Sequence, residues 1–131
     1  MLQILIVEDD ATGKQLLENF MISYGEVDCV EDGEQAIAAF KSAWEQGLPY
    51  QLIMLDIMIP KVDGQEVLRW IRNYEREKGI DSMQRAKIIM TTALDDPANI
   101  MESFYSGGAD SYIVKPIELD KLQQELQNLG L

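Results

Sequence analysis

Four short stretches carry the residue types that could do chemistry in this chain: Glu8-Asp9-Asp10, Asp56, Thr91-Thr92 and Lys115. Each closes a short apolar run. The acidic triplet follows Ile4-Leu5-Ile6-Val7, Asp56 follows Leu52-Ile53-Met54-Leu55, the threonines end Ile88-Ile89-Met90, and Lys115 follows Tyr112-Ile113-Val114. Carboxylates, a hydroxyl and one ammonium group gathered in one place would suit a hard divalent cation and a phosphoryl group. Such a cation takes oxygen ligands and screens the phosphoryl oxygens, which otherwise repel an attacking carboxylate. The charge that develops on the phosphoryl group needs donors, and Lys115, a threonine hydroxyl and backbone N–H groups can supply them.

Bringing these residues together is a task for the fold. Apolar runs of about four residues bounded by turns read as strands buried on both faces. Strands are expected at about 3–7, 26–30, 51–55, 87–91 and 111–114. Helical spacing lies between them. Leu16, Leu17, Phe20, Met21 and Tyr24 form one stripe with Gly25 as its stop. Ala36, Ile37 and Phe40 form a second after the turn Glu31-Asp32-Gly33, and Val67, Leu68, Ile71 and Tyr74 a third, closed by Lys78-Gly79. A fourth helix is expected from Asp95-Asp96-Pro97 to Gly107-Gly108, and a fifth carries Leu119, Leu122, Leu126 and Leu129. Five β–α units of this length imply one α/β domain over residues 1–131, a parallel sheet with helices on both faces. Parallel strands put their carboxyl ends on one edge, where open α/β sheets place their sites.

Composition narrows the function classes. The 131 residues carry a formal charge of −12, which argues against nucleic acid or an anionic membrane as a direct partner. Histidine is absent, so histidine-based zinc sites, Ser-His-Asp and Cys-His catalysis and a phosphohistidine carrier role are excluded for this chain. The single cysteine, Cys29, sits in Val27-Asp28-Cys29-Val30 and reads as a small core residue. No apolar stretch approaches about 18 residues, and a cytoplasmic location is expected. Arg69, Arg72, Arg76 and Lys78 alternate with Glu75 and Glu77 and read as a solvated helix face.

With these motifs in order, the chain resembles the receiver domain of two-component response regulators, the stand-alone chemotaxis regulator included. The resemblance rests on Ile-Leu-Ile-Val-Glu-Asp-Asp at 4–10, Leu-Ile-Met-Leu-Asp-Ile-Met-Ile-Pro at 52–60, Asp63-Gly64, Thr92-Ala93, Gly108-Ala109-Asp110 and Tyr112 to Pro116, and it spans essentially the whole chain. It implies strand order 2-1-3-4-5, the flavodoxin-like receiver fold. It implies Asp56 as phosphoacceptor, Glu8, Asp9 and Asp56 as ligands of Mg2+ (Mn2+ being an alternative) together with the backbone carbonyl of Met58, and Lys115 as the phosphoryl contact. Thr92 and Tyr112 would form the switch, with Thr92 moving toward the phosphoryl group and Tyr112 turning inward. The Lys115-Pro116 bond would be cis. Asp10, before Ala11-Thr12, suits a helix N-cap better than a ligand. Gly64 would serve a turn.

The implied partners are a histidine kinase or phosphotransfer protein and a downstream protein target, reached through the fourth helix, fifth strand and fifth helix; homodimerisation stays open. On that fourth helix the resemblance packs Phe104, with Ile100, inward, so Met101 and Tyr105 would lean outward; core packing of all four is the alternative. Two other functions compete. A magnesium-dependent aspartyl-phosphate phosphohydrolase commonly carries a second aspartate two residues after the nucleophile, and that place holds Met58. A receiver-like binding module without phosphorylation would have no use for the complete set Glu8, Asp9, Asp56, Thr92 and Lys115. Met58 and Leu94 flank the expected path of hydrolytic water; neither can hydrogen-bond it, so a slow-decaying acyl phosphate is expected. The stretch Glu75 to Lys87 is longer than its counterpart in the chemotaxis regulator and would lengthen the third helix or loop at the sheet edge away from the site.

Overall fold

A computed structural model describes residues 1–92, 98, 101–102 and 108–131. The described elements run β1 (Leu2–Val7), α1 (Ala11–Met21), β2 (Gly25–Val30), α2 (Gly33–Glu45), β3 (Leu52–Asp56), α3 (Gly64–Glu77), β4 (Lys87–Thr92), β5 (Ser111–Val114) and α4 (Leu119–Asn128). The strands form one parallel sheet in the order β2-β1-β3-β4-β5. The helix expected from Asp95-Asp96-Pro97, with Leu94, Ile100, Phe104 and Tyr105, lies outside the described residues. Met101 is described and is exposed. Among the described residues no helix is long and apolar enough to cross a membrane.

Strand alternation sorts the apolar runs onto two faces. Leu5, Val7, Ile53, Leu55, Ile88 and Met90 pack toward α2 and α3, while Ile4, Ile6, Leu52, Met54, Ile89 and Ile113 pack toward α1 and α4. All five residues of β3 are buried, as a central strand covered on both sides requires. Burying each such side chain stabilises by about 1.5–3 kcal/mol, against about 0–1 for an exposed ion pair. The apolar runs therefore set the register, and the charged groups at their ends are carried into place.

Helix starts follow local chemistry. Asp10, Asp32 and Asp63 cap α1, α2 and α3 by accepting from the N–H of Gly13, Gln35 and Glu66. Asp10 thus takes the expected cap role. Gly25 is not the stop of α1: the helix ends at Met21, and Gly25 opens β2, where a Cβ would run into the carbonyl of Leu2. Leu16, expected on the core stripe, is exposed, whereas Leu17 and Met21 are buried.

The basic stretch of α3 departs from the expected solvated face. Arg69, Arg76 and Lys78 are exposed, but Arg72 and Glu75 are 6% and 1% exposed. Arg72 donates to Glu75 Oε1 (2.8 Å), the Ala86 carbonyl (2.9 Å), the Gly108 carbonyl (3.0 Å) and Asp110 Oδ2 (2.9 Å). Glu75 Oε2 accepts from Ala86 N–H and Asp110 Oδ2 from Ile88 N–H, both at 2.8 Å. Helix spacing puts Arg72 one residue from buried Ile71, and the acceptors at the foot of β4 and β5 hold its guanidinium there. In the long connection α3 runs to Glu77, then Gly79 (φ 66°) and a turn on Asp81 lead into β4 at the edge opposite Asp56.

Candidate functional site

The carboxyl ends of β1, β3 and β5 meet at one edge. Register pairs Ile6 with Met54 and Val7 with Leu55, so Glu8 and Asp56, each two residues beyond a side chain of the α1/α4 face, come out on the same side. Lys115 stands two residues beyond Ile113 of that face. Glu8 and Asp56 are 1% and 3% exposed, while Asp9 is exposed. Each of Glu8, Asp9 and Asp56 offers a carboxylate oxygen within 4.8 Å of the others.

Lys115 bridges two of them. Its Nζ lies 2.8 Å from Asp56 Oδ2 and 2.5 Å from Glu8 Oε1. Asp56 Oδ1 accepts from the N–H of Met58 at 3.1 Å, and Glu8 Oε2 from that of Asp10 at 3.2 Å. Among the described residues, buried Glu8 Oε1 meets no hydrogen-bond donor besides the Lys115 ammonium. Burial pushes the Glu8 carboxyl above its usual range; the bond to Lys115 opposes this and the neighbouring Asp56 adds to it. Burial also pulls on Lys115, downward, but Asp56 and Glu8 outweigh it and its pKa ends above the ordinary lysine value. The ammonium stays charged.

Other expected residues lie nearby. Thr91 pairs in register with Asp56, and Thr92 falls one step further out, opposite Val114. Both threonines are buried, and the Thr92 carbonyl accepts from Lys115 N–H at 2.6 Å, tying the lysine to the end of β4. The Lys115-Pro116 bond is cis. Tyr112, opposite Met90, is 39% exposed. Met58 contributes its N–H to Asp56, and its side chain is exposed.

Gly64 is not a turn residue. It is the first residue of α3, and a Cβ there would strike the Asp56 carbonyl and Ile57 Cα. Its N–H donates to the Ile57 carbonyl at 2.9 Å, so the helix start sits directly on the end of β3. Sequence reasoning also missed the Glu8–Lys115 contact. Strand parity, Ile6 to Glu8 and Ile113 to Lys115, is the signal that could have found it.

An oxygen-only donor set fits a hard cation. Three carboxylates and one ammonium give a formal charge of −2, which a divalent ion cancels, and exposed Asp9 leaves one side open to water. Beside the site, a groove of about 220 Å³ opens between Leu16 and Leu17 of α1 and Pro116-Ile117, with Glu8 and Lys115 along it.

Comparison with known proteins identifies the family and the fold. The family model described as the response regulator receiver domain matches residues 4–127. The transcriptional regulatory protein CiaR of Streptococcus pneumoniae is 35% identical over 131 residues, covering 98% of this chain and 51% of CiaR. ResD of Bacillus subtilis is 40% identical over 116 residues, covering 87% of this chain and 42% of ResD. The chain thus spans about half the length, or less, of these relatives. Among solved structures, the receiver domain of the histidine kinase PA1611 from Pseudomonas aeruginosa, with magnesium coordinated in its active site cleft, is 28% identical at a TM-score of 0.75, covering 99% of this chain and 98% of that one. The complex of the Saccharomyces cerevisiae phosphotransfer protein Ypd1 with the receiver domain of Ssk1 matches with TM-score 0.83 and 25% identity, over 98% of this chain and 88% of that one. The chain belongs to the response regulator receiver domain family.

Proposed function

We propose that this chain is a phosphoacceptor switch in which Asp56 takes the phosphoryl group of a phosphohistidine on a histidine kinase or phosphotransfer protein. The observation that carries the reading is the buried Asp56 carboxylate held between the Lys115 ammonium and the Met58 N–H, with Glu8 and Asp9 alongside. A carboxylate oxygen of Asp56 attacks phosphorus, the O–P bond forms as the N–P bond breaks, and the electron pair leaves on the donor's imidazole. Lys115 neutralises charge on the phosphoryl oxygens, and Thr92 is the hydroxyl best placed by family resemblance to follow it. Glu8, Asp9, Asp56 and the Met58 carbonyl would hold Mg2+, which when bound screens the approaching phosphoryl charge.

The chain's own part ends at acceptance and eventual hydrolysis, so it acts as a substrate and switch rather than a turnover enzyme. The apolar groove between α1 and Pro116-Ile117 suits side chains of the phosphodonor and gives exposed Leu16 a purpose. Readout is assigned to the surface of β5 and α4 and the segment before them, with Tyr112 reporting on Thr92. The test is intact mass spectrometry after incubation with acetyl phosphate and magnesium. Wild type should gain one phosphoryl group and Asp56→Asn none; equal gain in both would overturn the assignment.

A further inference from the structure

The loop that follows Asp56 is braced from an unexpected side. Residues 57–63 leave β3 and return to α3, and they include the Met58 N–H that holds Asp56 Oδ1. The near anchors are main-chain bonds: Ile57 N–H to the Thr91 carbonyl at 3.0 Å and Gly64 N–H to the Ile57 carbonyl. The far part rests on the turn between β2 and α2. Gly33 N–H donates to the Pro60 carbonyl at 3.2 Å, and a Cβ on Gly33 would collide with the carbonyl and Cβ of Val62. Next to it, buried Asp32 caps α2 through Gln35 N–H and also meets Lys61 Nζ at 3.6 Å. Lys61 holds φ at 71°, the one positive value among the described non-glycine residues. A side chain adopts that backbone only when its surroundings require it.

From this contact between two loops we infer that Asp32, Gly33 and Lys61 are positioning residues for phosphoryl transfer: they fix the 57–63 loop and so the N–H that orients the Asp56 carboxylate. The inference rests on Asp56 as phosphoacceptor. No atom of the three need touch the phosphoryl group. They act through the Pro60 carbonyl and the left-handed turn at Lys61, and the displacement is passed along the short segment to Met58. Ile59, buried between these points, leaves the loop little room to absorb a shift.

The experiment compares wild type with Gly33→Ala, which forces Val62 away, and Asp32→Asn, which keeps a cap acceptor but removes the charge facing Lys61. Leu126→Val, in the opposite core, controls for general destabilisation. At a temperature where circular dichroism shows the variants folded, two quantities are read. One is the rate of phosphorylation by acetyl phosphate with magnesium. The other is the position and hydrogen exchange of the Met58 amide by NMR without phosphodonor. Misplacement of a reacting group by about 1 Å can lose about 100-fold in rate, so Gly33→Ala should slow phosphorylation by about 10-fold or more. It should also shift the Met58 amide and speed its exchange. Asp32→Asn should move both in the same direction by a smaller factor, and Leu126→Val should move neither. Gly33→Ala phosphorylated at the wild-type rate with an unmoved Met58 amide overturns the inference. Should that variant not fold, an unmoved Met58 amide in Asp32→Asn overturns it equally. If wild type takes no phosphoryl group, the phosphoacceptor reading fails, and the Met58 amide alone then decides whether the brace exists.

Discussion

Removing the Arg72 guanidinium should damage the fold more than any other surface-looking change on α3. Arg72→Ala leaves Glu75 buried without its cation and strips a donor from the carbonyls of Ala86 and Gly108. Breaking a buried pair by deleting one partner costs about 3–5 kcal/mol, because the remaining charge is stranded. The entropy of unfolding is about 2.1 cal/mol/K per residue, or roughly 0.28 kcal/mol/K for 131 residues. The melting temperature should therefore fall by roughly 11–18 °C, read by circular dichroism. Arg72→Lys should fall nearly as far, since one ammonium cannot reach acceptors on both sides of a planar fork. The double variant Arg72→Met with Glu75→Leu should recover at least half of the loss, because apolar side chains replace the pair without a stranded charge. A fall below about 4 °C for Arg72→Ala, or a double variant no more stable than the single, would refute the idea that this cluster is a coupled buried unit rather than a solvated face.

Four further outcomes are expected. Millimolar magnesium should raise the melting temperature of wild type, as any ligand of the folded state does; Asp9→Ala should lose this rise together with phosphorylation, and phosphorylation of that variant in excess chelator would sink the ligand assignment. Lys115→Ala should still accept some phosphoryl group but no longer move Tyr112, so an NMR response at Tyr112 equal to wild type would refute the coupling. Met58→Asn with Leu94→Glu should shorten the life of the acyl phosphate by up to about 100-fold, the usual scale for positioning a nucleophilic water; equal decay in both proteins would end that reasoning. Burial pushes the Cys29 thiol up to about 11 from the ordinary value of 9.0. Its thiolate fraction at pH 8 should then be roughly 100-fold below that of a free thiol, seen as slow reaction with iodoacetamide. Because that pKa is raised in the folded state, the associated stability is present below pH 9 and declines as the pH rises toward about 11; a thiol alkylated at the rate of the unfolded chain would contradict both statements.

The five strands could be read from the sequence to within a residue or so because each apolar run is short, β-rich and bounded by turns or charges. The acidic and basic ends of those runs were legible for the same reason, since parallel strands bring their carboxyl ends to one edge. Contacts between elements distant in sequence were not legible. Arg72 and Glu75 look like a surface pair on any helical wheel, and only the carbonyls of Ala86 and Gly108 make burial tolerable. Gly25, Gly33 and Gly64 read as turn or stop residues, yet each is small because another backbone passes close by. A single sequence shows which residues permit close approach and not which partner approaches. Thr92 was selected over Thr91 by resemblance, and register, which sets Thr91 beside Asp56, could not have made that choice.

The Arg72 cluster clamps one end of the sheet. It ties α3 to the feet of β4 and β5, whereas their far tips carry Thr92 and Lys115, where the Lys115 N–H donates to the Thr92 carbonyl. A beam fixed at one end deflects at the other, so a load applied at Asp56 would bend the tips and leave the base still. The connection at 78–86 springs from that still base, and Met83 projects from it 91% exposed. A dye, a tether or an inserted tag at Met83 would ride on the stationary part of the device. For anyone building a sensor from this domain, that is the mounting point: the reference dye at Met83, the moving one on the surface around Tyr112.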